Sequence, residues 1–183
     1  NTAGEILYNT RTYAGYIECY RNSSNMSVIN VIDLESYVKG VITYEMSSSW
    51  PKEALKAQAV CARNYALRNL DKHKSNGFDI CNGTHCQSYG GTTRSTASSD
   101  AAVDECAGMV LTYENKLAEL YYHASSGGYT ENSENVWVAK IPYLTGVSAP
   151  YEDLDHATYG KWTYNVTAEE VGETFRAKGY DIG

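Results

Sequence analysis

With 183 residues the chain is long enough for one sizeable core, or for one core plus a small flap, but too short for two full domains, so a single catalytic unit over residues 1–183 is expected. The net charge of −7 with no clustered Lys or Arg excludes a nucleic-acid binder, and no apolar run approaches the roughly 20 residues of a membrane span. Tyr is heavily used (17) against 2 Phe, which suits either wet sugar-facing surfaces or plain strand filling.

The first stretch alternates like a small β-meander, with strands over Glu5 to Asn9, Thr12 to Tyr20 and Met26 to Ile32, the last two joined by a polar turn over Arg21 to Asn25. From Asp33, a candidate N-cap, the period changes: Leu34, Tyr37, Val38, Val41 and Ile42 follow helical spacing, and the helix ends near Met46. Pro51 then opens a second helix to about Leu70, thin because of Ala54, Ala57, Ala59, Ala62 and Ala66. Asp71 to Ser98 has no apolar period and reads as a loop that needs some other anchor. A short helix over Ser99 to Cys106 leads to a hairpin, Met109 to Tyr113 and Leu117 to Tyr122. A strand at Trp162 to Val166 and a last helix with a Thr167/Glu170 capping box complete an α+β pattern of meanders around two helices.

One more turn along the apolar stripe of the first helix stands Glu45, a carboxylate where the pattern calls for an apolar residue. On an inward face beside Tyr44, Met46 and Trp50 it is partly desolvated, the setting of a general acid; if the helix frays first, it is solvated. His73, Cys81, His85 and Cys86 gather in the aperiodic loop. They suit a tetrahedral zinc that orders it, or a Cys81–Cys86 disulfide with two surface histidines. Cys19, Cys61 and Cys106 fall in predicted elements and are expected to be buried free thiols.

Several motifs carry a family resemblance. Asp33-Leu34-Glu35-Ser36-Tyr37-Val38-Lys39-Gly40-Val41, Tyr44-Glu45-Met46, and Trp50 to Val60 with Ala62-Arg63-Asn64-Tyr65-Ala66 resemble the SpoIID/LytB family of stage II sporulation protein D enzymes. The likeness resumes at His123-Ala124-Ser125-Ser126-Gly127-Gly128-Tyr129-Thr130 and at Glu134-Asn135-Val136-Trp137. It implies a lytic transglycosylase that cuts peptidoglycan between N-acetylmuramic acid and N-acetylglucosamine during spore engulfment, preferring strands free of stem peptides. Glu45 is then the catalytic carboxylate and Arg63 a second functional residue. Arg63 would hold either the Glu45 carboxylate or a substrate oxygen, the alternative being a surface arginine on a long helix.

The same resemblance makes Ser125, Ser126, Gly127 and Tyr129 the candidate glycan contacts, against the alternative of a plain flexible turn. It also favours a structural zinc of the clostridial type on His73, Cys81, His85 and Cys86. It further implies an extracytoplasmic protein anchored in the mother-cell membrane through a segment outside this chain, working beside an amidase and another anchored protein. The competing functions are a zinc metallohydrolase and a non-catalytic glycan-binding module of the cell wall. A complete set of four protein ligands argues against the first, and a buried-face Glu45 against the second.

Overall fold

The structure is a computed structural model that describes residues 5–21, 25–153 and 162–182. The chain groups into two compact units, Asn1–Tyr122 and His123–Gly183. The architecture is α+β, with small antiparallel strand pairs and packed helices.

The first unit opens on two hairpins, β1 (Ile6–Tyr8) with β2 (Arg11–Tyr13), and β3 (Tyr16–Arg21) with β4 (Met26–Val31). The single strand expected over Thr12 to Tyr20 is broken in two. Gly15 takes φ +81°, and a Cβ there would lie 2.2 Å from the Val31 carbonyl oxygen, so only glycine lets the chain turn so close to β4. The turn between β3 and β4 falls partly on residues 22–24, outside the described residues. Cys19 is exposed, contrary to expectation, because most of β3 faces solvent.

Helix α1 (Leu34–Glu45) starts where the Asp33 carboxylate accepts the Ser36 N–H at 3.0 Å. Its stripe of Tyr37, Val38, Val41 and Ile42 is buried against Ala59, Ala62 and Ala66 of α2 (Lys52–Arg68) and against Val103 and Cys106 in and just after α3 (Ala97–Glu105). The alanines let the helices approach closely, as their spacing implies. Gly40 serves the same core: a Cβ there would meet the Tyr89 ring at 2.4 Å, and that ring stacks on Tyr37 with centroids 5.1 Å apart.

Between α2 and α3 the chain is irregular apart from one 3₁₀ turn at Lys74–Asn76. After α3 a short hairpin, β5 (Thr112–Tyr113) with β6 (Lys116–Leu117), is tied to α2 by Asn64. The Asn64 side chain donates to the carbonyls of Leu111 (2.8 Å) and Ala118 (3.0 Å) and accepts the Leu111 N–H (2.9 Å).

The second unit contains α4 (Ser133–Val136) and α5 (Ala168–Ala177). The predicted capping box at Thr167 and Glu170 is present. Residues 162–166 form no strand, in contrast to the sequence expectation: four of the five side chains are aromatic or β-branched, yet no partner strand accompanies them among the described residues. No helix among the described residues is long and apolar enough to cross a membrane.

Candidate active site and metal site

Glu45 is the last helical residue of α1 and half-buried, so the apolar stripe does deliver a carboxylate to its inward edge. Oε1 accepts the Ser88 backbone N–H at 2.8 Å. A charge-assisted bond from a backbone amide fixes the orientation of the carboxyl group. Trp50, which the sequence placed as a shield, is half exposed.

The residue before Ser88 is Gln87, only 1% exposed. Its Oε1 accepts the Tyr37 hydroxyl at 3.0 Å, and its Nε2 donates to the Tyr122 hydroxyl at 3.3 Å. Burial, above all, pushes the Tyr122 phenol up to about 12 against the lowering effect of the Gln87 hydrogen bond, and the charge of the Glu45 carboxylate adds to the rise. Neither Gln87, Ser88 nor Tyr122 stands out in the sequence. Their only signal is position: Gln87 and Ser88 directly follow Cys86.

Arg63 is fully buried in the middle of α2 and reaches Glu35, not Glu45. Nε and Nη2 grip the two Glu35 oxygens at 2.8 and 2.6 Å, and Nη1 donates to the Met109 carbonyl at 2.9 Å. Glu35 also accepts the Gly108 N–H at 3.1 Å. The Arg63 hydrogen bonds hold the Glu35 carboxyl below its usual range against the opposing effect of burial. The pair joins the first turn of α1, the middle of α2 and the chain leaving α3. Glu35 is within the family motif, but nothing in its spacing announces a buried arginine as partner.

His73, Cys81, His85 and Cys86 do converge, with one donor atom from each within 4.8 Å of all the others. His73 Nε2 lies 3.4 Å from Cys86 Sγ, and His85 Nδ1 lies 3.6 Å from both Cys81 Sγ and Cys86 Sγ. Ligand bonds of about 2.3 Å to sulfur and about 2.0 Å to nitrogen place tetrahedral N and S donors roughly 3.5 Å apart, so the donor set fits a zinc-sized ion.

The backbone prepares this cluster. The His73 N–H donates to the Asp79 carbonyl (3.0 Å), the Cys86 N–H to that of Gly83 (2.9 Å), and the His73 ring stacks on Phe78. Burial raises the Cys86 thiol, but hydrogen bonds to Cys81 and Tyr65 and the Lys72 charge bring it below its usual value, towards the thiolate a metal requires. All five cysteines are free thiols, including Cys81 and Cys86.

In the second unit the Ser125-Ser126-Gly127-Gly128 loop is not a plain flexible turn. Both serine hydroxyls donate to the Glu152 carboxylate, joined by the N–H groups of Ser126 (3.0 Å) and Gly128 (3.2 Å). These bonds, led by that of Ser125, pull the Glu152 carboxyl down to about 2. Gly127 and Gly128 take φ of 70° and 94°, which lets the Ser126 and Gly128 amides converge on one anion while the Gly127 N–H turns to the Ser125 hydroxyl. Tyr129 is largely exposed, and its hydroxyl donates to the Gly146 carbonyl at 3.2 Å. Glu152 itself carries no sequence signal.

Comparison with known proteins agrees with these motifs. The family model for Stage II sporulation protein (SpoIID) matches residues 22–113, half of the chain. Stage II sporulation protein D of Bacillus subtilis (strain 168) is 36% identical over 177 residues, which is 88% of this chain and 50% of that protein. An amidase enhancer of the same organism is 41% identical over 107 residues, 58% of this chain and 14% of the relative. An uncharacterized protein of Brachyspira hyodysenteriae is 40% identical over 136 residues, 74% and 37% of the two chains. The chain thus spans half or less of the length of these relatives. The stretch from the α1 cap to the end of β5, with Glu45, Arg63 and the His/Cys cluster, lies inside the matched region: the chain belongs to the Stage II sporulation protein (SpoIID) family.

Proposed function

We propose that this chain is a peptidoglycan lytic transglycosylase in which Glu45 acts first as acid and then as base. The observation that carries the reading is the half-buried Glu45 carboxyl, held through Oε1 by the Ser88 N–H so that the second oxygen is presented in a constant direction. Glu45 gives its proton to the glycosidic oxygen as the bond from C1 of N-acetylmuramic acid breaks. The carboxylate then takes the proton of that sugar's own 6-hydroxyl, whose oxygen closes on C1. One sugar oxygen is thus the leaving group and another the nucleophile, the proton cycles through one carboxyl, and a 1,6-anhydro end results. Most glycosidases need a second carboxyl group as nucleophile or to activate water; this scheme does not.

In this reading Arg63 supports the site from behind by locking α1 to α2, and Ser125, Ser126, Gly127 and Tyr129 contribute glycan contacts. His73, Cys81, His85 and Cys86 hold a structural zinc. Bound there, the ion supplies a four-point cross-link and no open coordination position, which disfavours the metallohydrolase. A cell-wall role in sporulation, outside the cytoplasm and beside an amidase, is supported by family membership and by the relative named an amidase enhancer.

The test is Glu45→Gln. The amide keeps shape and cannot donate the proton, so a variant with unchanged circular dichroism should lose cleavage by at least about a hundredfold. A folded variant with higher residual activity removes Glu45 from the chemistry.

A further inference from the structure

We propose that Arg11 and Arg94, gathered on the Tyr44 ring next to Glu45, bind the lactyl carboxylate of the muramoyl residue whose C1 bond is cut. The proposal rests on the transglycosylase reading and names the part of the substrate that the chain holds by charge. Arg94 Cζ lies 4.3 Å and Arg11 Cζ 5.3 Å from the centre of the Tyr44 ring. Neither arginine forms an ion pair among the described residues, although the chain carries a net charge of −7 and carboxylates are in excess. A guanidinium held against an aromatic ring keeps its fork of N–H donors, and that fork matches a carboxylate.

The backbone builds this gathering. Thr12, next to Arg11 in β2, donates its N–H to the Thr93 hydroxyl (2.9 Å) and accepts the Thr92 N–H on its carbonyl (2.7 Å). A Cβ at Gly91 would lie 2.0 Å from that carbonyl oxygen, so only glycine lets the two segments run this close. Arg94 then sits in a turn closed by the Ser95 N–H on the Thr92 carbonyl at 2.9 Å. The Tyr44 ring is fixed as well: its hydroxyl donates to the Gly90 carbonyl at 3.2 Å, and its Cζ would stand 2.0 Å from a Cβ at Gly90.

Position selects which carboxylate is bound. Tyr44 and Glu45 are consecutive, and one short segment holds both, Gly90 through its carbonyl and Ser88 through its N–H. Three residues of chain span at most about 10 Å, so the arginines and the proposed acid are neighbours on the scale of a disaccharide. In N-acetylmuramic acid the lactyl ether stands on C3 of the ring whose C1 is attacked, and its carboxylate is the fixed negative charge of the strand nearest the reaction. A stem peptide turns that carboxylate into a neutral amide.

The test is equilibrium binding of labelled, peptide-free glycan oligosaccharides, read by fluorescence anisotropy in the Glu45→Gln background so that they stay whole. The added pair Arg11→Gln and Arg94→Gln should raise Kd about tenfold or more at an unchanged melting temperature, as suits loss of hydrogen bonds to a charged group. Arg94→Gln alone, at an exposed position, serves if the pair does not fold. Converting the lactyl carboxylates to methylamides should raise the Kd of the parent by the same factor and leave that of the arginine variant unmoved, because one interaction is removed from either side. Equal Kd for parent and arginine variant, or for carboxylate and methylamide, would overturn the proposal. Oligosaccharides that keep their stem peptides should bind the parent as weakly as the methylamides do; tight, arginine-dependent binding of these would assign the pair to a peptide carboxylate and overturn the lactyl assignment. End-group analysis of the same mixtures reads the other claim separately: anhydro ends formed in the Glu45→Gln background reject Glu45 as the acid, whatever the Kd values show.

Discussion

At the scale of single residues, the division of labour between Glu45 and Glu35 decides what mutations do. In the proposed mechanism Glu45 carries the chemistry while its Oε1 accepts the Ser88 N–H, whereas both oxygens of Glu35 are engaged by the buried Arg63. Removing Arg63 leaves Glu35 and the Met109 carbonyl without their partner, and breaking a buried pair costs about 3–5 kcal/mol. Arg63→Ala should therefore lower the melting temperature and the activity together, as should Glu35→Gln to a lesser degree. The family motif by itself suggests an effect on activity first, so thermal melts alongside turnover discriminate. A variant that melts like wild type and yet fails to cleave would place Arg63 in the chemistry.

Glu152 yields a pH prediction at the same scale. Its folded value of about 2 lies below the ordinary 4.5, so its contribution to stability is fully present above about pH 4.5. That contribution is lost as pH falls through about 2, where protonation weakens the grip of Ser125, Ser126 and Gly128. The amides of Ser126 and Gly128 should keep their protection against hydrogen exchange at pH 5 and lose it only in stronger acid. Equal exchange in wild type and Glu152→Gln at pH 5 would contradict this.

Among elements, the helices and their caps were legible because each follows from a local signal: the Asp33 cap, the i, i+3, i+4 stripe of α1, the alanines of α2 and the Thr167/Glu170 box. The strand expected at 162–166 was not, since pairing depends on a partner elsewhere, and the break at Gly15 depends on how near Val31 comes. The His/Cys cluster was legible as composition. Its link to Glu45 was not, because the connection runs through the Ser88 N–H, which every residue but proline possesses.

That link makes the irregular segment an element in its own right. Stripping metal from the purified protein with a chelator should lower the melting temperature and speed exchange of the Ser88 amide, two residues beyond Cys86, before it affects amides in α2. One zinc per chain by elemental analysis accompanies this expectation. Unchanged Ser88 exchange after metal loss would separate the cluster from the site.

For the whole molecule, the first unit holds the candidate acid, its supports and the metal donors, and the second holds the serine and glycine loop. This chain covers half or less of each relative, so substrate length preference and partners belong to the full proteins as much as to this chain. What this chain can be asked is whether one carboxyl suffices to cut a glycan strand. The most direct measurement is end-group analysis of purified peptide-free glycan strands after digestion with wild type and with Glu45→Gln. Wild type should generate 1,6-anhydromuramoyl ends and the variant none; free reducing ends, or no new ends from wild type, would contradict the account.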